Sequence, residues 1–147
     1  MGDDDLLIFK LVRVVNFTAR PFEQRVGKPL QLTLNEWRVM AMVGAQPGCN
    51  ASQVAEYSGL DKMAVSRALA GLQRAKRLQR HEDPTDQRRS RLYLSAAGRS
   101  VYEAALARAQ EREAELFANI TAHEREQLSA MLDKVIASGR MTDGWVG

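Results

Sequence analysis

Leu7, Leu11, Val14, Val15, Thr18 and Phe22 recur at helical spacing and predict an amphipathic first helix ending near the Gly27-Lys28-Pro29 breaker. Thr33-Leu34-Asn35-Glu36 is a capping box, in which a hydroxyl and a carboxylate satisfy free backbone N–H groups at a helix start. It predicts a second helix through Trp37, Met40, Ala41 and Val43, stopped by Gln46-Pro47-Gly48. Asn50 then caps a short helix that turns Val54 and Ala55 inward and ends at Gly59, where a left-handed backbone costs little. Asp61 is an N-cap for the next helix. Its Val65, Ala68, Leu69 and Leu72 form an inward stripe at i, i+3, i+4 and i+7, while Lys62, Ser66, Arg67 and Arg74 face out. Two short helices joined through Ser58-Gly59-Leu60 predict a helix-turn-helix.

From Leu78 the periodicity changes. The turn cluster Asp83-Pro84-Thr85-Asp86 separates Arg80-His81 from the alternating Arg91-Leu92-Tyr93-Leu94, which predicts a β-hairpin carrying Arg88, Arg89 and Arg91. Ser95 caps a long helix reaching about Ile120, and Thr121-Ala122-His123-Glu124 opens a last helix with Leu128, Met131, Leu132, Val135 and Ile136 inside and Gly139 at its end. The fold class is therefore mainly α with a small β-hairpin wing, a single domain over 1–147. A winged helix-turn-helix at about 33–94 is flanked by helical segments at about 5–27 and 95–139. Apolar residues in those flanking helices (Leu7, Leu11, Val14; Tyr102, Leu106, Leu116; Leu128, Leu132, Val135) exceed what the central lobe covers, which predicts a homodimerisation layer. The acidic first residues and Met141 to Gly147 are expected to be disordered.

Charge sharpens this picture through its distribution. Residues 1–60 balance, 61–91 carry nine Lys/Arg against four Asp/Glu, and 92–147 are slightly acidic, so the basic excess falls on the helix and hairpin that would meet a polyanion. With 147 residues and 45% hydrophobic composition there is enough apolar material for a core but no run long enough to cross a bilayer, so no membrane partner is expected. The acidic start does not look like a secretory signal, and a cytoplasmic location is the expectation. One cysteine excludes an internal disulfide framework, and two distant histidines leave no case for a metal or other cofactor. His81 beside Glu82 and Asp83 makes no ligand cluster, because neighbours on a strand point to opposite faces, and His123 inside a capping box should be exposed. Cys49 precedes a helix N-terminus, where a thiolate would be favoured; the inert reading is preferred to a redox switch.

The helix-turn-helix through Gly59-Leu60-Asp61, with the wing from Asp83 to Leu94 and the Ser95-Ala96-Ala97-Gly98 step, resembles the MarR family of bacterial regulators over nearly the whole chain. The most specific part is an Asp-x-Arg step followed by Leu-Thr and a glycine, here Asp86, Arg88, Leu94, Ser95 and Gly98, with serine keeping the capping hydroxyl. The resemblance implies that Arg88 enters a minor groove and that Asp86 fixes the wing. It also implies a repressor released by small aromatic or phenolic effectors bound between the DNA-binding and dimerisation layers. Family members that sense peroxide carry their cysteine in the first helix, where this chain has none. The chain departs from the pattern at Lys76-Arg77-Leu78, where the family usually has Lys-Gly-Leu, so the exit from the recognition helix is expected to differ.

In a helix lying in the major groove of double-stranded DNA, Lys62, Met63, Ser66 and Arg67 are the candidates for reading base edges. Arg67 is the first choice, since a bidentate arginine–guanine pair supplies roughly 1–3 kcal/mol of discrimination. Ser52, Gln53 and Arg74 suit phosphates, and Asp86, Arg88 and Arg89 belong to the wing. A homodimer would match a pseudo-palindromic operator with half-sites about one helical turn apart. Phe17, Arg20, Phe22, Trp37 and Arg38 are candidates to line an effector pocket with aromatic walls and a cation, although for Trp37, Met40 and Met42 the core reading is preferred. The chain contains no Gly-rich phosphate loop, Gly-x-Ser-x-Gly elbow or His-Glu-x-x-His, so nothing points to an enzyme. A helical protein-interaction module without sequence-specific DNA binding is the alternative; it accounts for the terminal helices but not for the basic hairpin.

Overall fold

The structure is a computed structural model that describes residues 6–141, with the backbone alone at Gln87, Arg88 and Met141. Of the end segments expected to be disordered, residues 1–5 and 142–147 lie outside the described residues, and Met141 is the last residue of a helix. In chain order come α1 (Leu7–Ala19), a π-helical segment (Glu23–Gly27), α2 (Lys28–Leu30), α3 (Leu34–Ala45), α4 (Ala51–Ser58), α5 (Lys62–Arg74), β1 (Leu78–Asp83), β2 (Asp86–Leu94), α6 (Ala96–Leu116) and α7 (Ala122–Met141). They form two compact units whose boundary, between Gln110 and Glu111, falls inside α6.

The first unit holds the core. Val65, Ala68, Leu69 and Leu72, the inward stripe of α5, are all buried, and they pack with Val39, Met40 and Val43 of α3, Val54 of α4 and Leu78 and Leu92 of the hairpin. Met40 and Met42 are core residues, and Trp37 packs half-buried against them, its ring 6.1 Å from that of Tyr102. Local chemistry places the helix starts. Thr33 and Glu36 complete the capping box of α3, Asn50 and Gln53 form a second at α4, and the Asp61 carboxylate accepts the Ala64 N–H at 2.7 Å. The strands pair antiparallel from Leu78↔Leu94 to Glu82↔Ser90, with an irregularity next to the turn. A bridge that the periodicity does not reveal ties Cys49 to Leu92, through Gly48 N–H to Leu92 O and Leu92 N–H to Cys49 O, both 2.8 Å.

Three boundaries differ from the sequence expectation. The first helical stretch does not end at Gly27-Lys28-Pro29. Pro29 falls in the first turn of α2, where its missing N–H costs nothing, and the chain turns only at Gln31, at φ 50°. The long helix stops at Leu116 rather than Ile120. α7 passes through Gly139, since an isolated glycine lowers helix stability by only about 1 kcal/mol and ends nothing by itself.

The exit from α5 is the largest departure in detail. Lys76 takes the left-handed position at φ 59°; its N–H donates to Gln73 O (3.0 Å) and the next N–H, of Arg77, to Leu72 O (2.8 Å). This is a Schellman closure with lysine where glycine is favoured. Arg77 then reaches back across the fold, its guanidinium donating to Leu30 O (2.7 Å) and Gln31 O (3.0 Å) and so satisfying the carbonyls at the end of α2. Ser95 closes the joint from the other side: its N–H donates to Arg77 O (3.0 Å), its hydroxyl donates to Lys76 O (2.8 Å) and accepts from Gly98 N–H (3.0 Å). Gly98 sits so close that a Cβ there would lie 2.0 Å from Arg77 O.

In the second unit Thr121 and Glu124 form the expected capping box of α7, and Arg125 pairs with Glu113 at 3.4 Å while lying over the Phe117 ring. The expectation that Met131, Val135 and Ile136 face inside is corrected: they are more than half exposed in this chain, with Leu128 and Leu132 only half-buried. In α1 no residue is buried, and Leu7, Val14 and Val15 are exposed. The periodicity identifies an apolar stripe, but not which surface covers it.

Candidate nucleic-acid interface

With its apolar stripe in the core, α5 turns Lys62, Met63, Ser66, Arg67 and Arg74 to solvent, all exposed and on one helical surface. The preceding turn is held by Ser58, whose hydroxyl accepts the Leu60 N–H at 3.2 Å, and by Gly59 at φ 72°. Ser52 and Gln53, assigned to phosphates, stand exposed in the first turn of α4. Gln53 has a second duty: its Oε1 accepts the Asn50 N–H at 2.9 Å, which leaves the carboxamide NH2 as its outward donor.

Asp83 anchors the turn of the wing, a role the sequence reading missed. Asp83 Oδ1 accepts the Thr85 N–H (2.9 Å) and hydroxyl (2.6 Å) and pairs with Arg91 at 3.7 Å. These hydrogen bonds from Thr85, with the Arg91 charge contributing less, hold its carboxyl below the usual carboxylate range. An aspartate two residues before a backbone N–H is the signal that finds this Asx turn. Asp86 pairs with Arg89 across 3.6 Å, both largely exposed. The Arg88 side chain lies outside the described residues. Gln73, also missed, accepts from Arg80 Nε at 3.0 Å and joins the recognition helix to the first wing strand.

The five effector candidates make several separate contacts. Arg20 lies over the Phe17 ring at 4.9 Å, Trp37 packs against Tyr102, and Arg38 donates to Asn35 Oδ1 at 3.2 Å. Phe22 lines an open cavity of about 360 Å³ beside Glu23, Gly27 and Leu32. Cys49 is buried and burial pushes its thiol up, against a smaller lowering by its own backbone hydrogen bond, so the reactive thiolate is suppressed. His123 is exposed, and His81 packs edge-on against Tyr93. Among the described residues no three His, Cys, Asp or Glu side chains come together as a metal site, and no helix is long and apolar enough to cross a membrane.

Comparison with known proteins agrees with this arrangement. The MarR family model matches residues 30–89, which run from the end of α2 into the wing. The HTH-type transcriptional repressor Rv2887 of Mycobacterium tuberculosis is 27% identical over 135 residues, covering 92% of this chain and 96% of the relative. A MarR-family transcriptional regulator from Silicibacter pomeroyi superposes with a TM-score of 0.82 at 28% identity, over 93% of this chain and 92% of that one. CouR from Rhodococcus jostii, solved bound to p-coumaroyl-CoA, has the same fold, with a TM-score of 0.82, 23% identity and coverage of 92% and 95%. With the helix-turn-helix, the arginine-bearing hairpin and the Leu94-Ser95-x-x-Gly98 joint all in place, the chain has the winged-helix fold of MarR-family transcriptional regulators and matches that family's model over its DNA-binding lobe.

Proposed function

We propose that this protein is a homodimeric repressor that reads a pseudo-palindromic DNA operator and lets it go when a small aromatic or phenolic ligand binds. The observation that carries the reading is the division of α5: one side is entirely core, and the other presents Lys62, Ser66, Arg67 and Arg74 to solvent beside a basic hairpin. Arg67 is the principal base reader, supported by Lys62, Met63 and Ser66. Arg74, Ser52 and Gln53 set register on phosphates, and Arg88 and Arg89 engage the minor groove, with Asp86 holding Arg89.

Dimerisation is supported by the exposed apolar faces of α1 and α7, which a second copy would cover. The ligand class is supported by p-coumaroyl-CoA in CouR, and the protein acts in the cytoplasm, where such an operator would be met. The same exposed faces favour the second reading, a helical interaction module. It predicts no sequence preference on DNA.

Selection of bound duplexes from a random pool, in parallel for wild type, Arg67→Ala and Arg88→Ala at near-physiological salt, separates the two. The regulator reading requires an inverted repeat, a local loss of preference in Arg67→Ala and weaker binding in Arg88→Ala. No enrichment by ligand-free wild type would sink it.

A further inference from the structure

The recognition helix has two flanks, and only one has been given a partner on DNA. A helix is about 10–12 Å across with its side chains and the major groove about 12 Å wide, so a helix seated there runs between two phosphate strands. One flank of α5 carries the wing, tied to it through Gln73 and Arg80. On the opposite flank Ala64, Ala68 and Gly71 are too small to fill the space beside α3, and an open groove of about 440 Å³ runs there. Arg67 and Arg74, seven residues and so about 10.5 Å apart along the helix, edge it from one side, and Asn35 from the other.

Asn35 is oriented for a donor's role. Its Oδ1 takes the Arg38 guanidinium at 3.2 Å, which leaves the NH2 as its remaining hydrogen-bonding group. Glu36 also lines the groove, but its carboxylate already accepts the Thr33 N–H at 3.0 Å and lies against Gly71, where a Cβ would come within 2.7 Å of Oε2. Two guanidinium groups and a carboxamide donor against one engaged carboxylate favour an anion.

We infer that this groove between α3 and α5 seats the second phosphate strand of a bound duplex, with Asn35 and Arg74 as its sequence-independent contacts. The inference rests on the DNA-binding reading and adds α3 to the interface. It also gives Arg67 a position between strand and bases, and Arg74 a defined partner surface.

The test is Asn35→Asp, with Arg74→Gln beside it. A carboxylate at position 35 keeps the Arg38 contact and suits the first turn of a helix, so the variant should fold as well as wild type, which thermal melting checks. Binding is followed by fluorescence anisotropy over a salt series, on the best duplex from the selection and on a scrambled one. Losing a charge-assisted hydrogen bond to phosphate should weaken binding roughly tenfold on both duplexes. In Arg74→Gln the slope of log affinity against log salt should also fall by about 0.9, for the one phosphate that the cation no longer neutralises. Wild-type affinity in Asn35→Asp or a wild-type slope in Arg74→Gln overturns the inference, and so does a weakening confined to the selected duplex, which would mark base reading. Wild type that binds neither duplex overturns the DNA-binding reading itself.

Discussion

Gly98→Ala tests the joint between the recognition helix and α6. The added Cβ would lie 2.0 Å from Arg77 O, 2.9 Å from its carbonyl carbon and 3.2 Å from its Cα. All three are backbone atoms, so no side chain can rotate away, and restoring an ordinary contact means parting the two segments by about 1.4 Å. That separation stretches the hydrogen bonds from Ser95 N–H to Arg77 O and from Ser95 Oγ to Lys76 O. Overpacking costs about 1–3 kcal/mol and each weakened hydrogen bond up to about 1 kcal/mol, while exchanging a helical glycine for alanine returns about 1 kcal/mol. The net expectation is destabilisation by about 2–3 kcal/mol, read by urea denaturation at matched protein concentration because dimerisation would couple to folding. Gly98 is not at positive φ, so relief of backbone strain cannot enter. A variant as stable as wild type would mean that this close approach does not constrain the fold.

Other substitutions probe neighbouring features. Lys76→Gly should stabilise the protein by about 1 kcal/mol, because the left-handed position is costly for any residue with a Cβ; a lower melting temperature would contradict the Schellman assignment. Asp83 has a folded pKa below its unfolded value, so its contribution to stability is present above the ordinary carboxylate pKa and is lost as pH falls through the folded one. Asp83→Asn should therefore reduce the loss of stability on acidification in that range, and an unchanged pH profile would remove Asp83 from the wing's anchoring. Cys49, buried and held as the thiol, should react with a thiol reagent only as fast as the protein opens. Prompt labelling of the native protein would reinstate it as a redox candidate.

What could be read from the sequence was chiefly what is local. Thr33, Asn50, Asp61, Ser95 and Thr121 all cap as expected, because a capping oxygen and its N–H partner lie within three residues of each other. The stripe Val65, Ala68, Leu69, Leu72 was equally plain, since one helical period defines it. Features set by distant segments were not readable. Arg77 showed only as part of a departure from the family pattern, yet its partners are carbonyls 46 and 47 positions away. Gly98 showed only as a motif letter until Arg77 O was found against it. The stripe of α1 was recognised as apolar and assigned to a dimerisation layer, and that of α7 was placed inside, because periodicity reports a face and not its cover. For the interface, the outward residues of α5 were found by elimination from the core; the groove beside α3 depends on how two helices meet and has no signature along the chain.

The Ser95 joint has a mechanical consequence. Lys76, Arg77, Ser95 and Gly98 fasten the end of the recognition helix, the root of the wing and the first turn of α6 into a single rigid corner. The reading head and the wing therefore cannot be steered one without the other. α6 acts as their tiller: its stretch within the first unit, residues 96–110, is about 22 Å long, so a sideways displacement of about 2 Å at Gln110 swings the corner by about 5°.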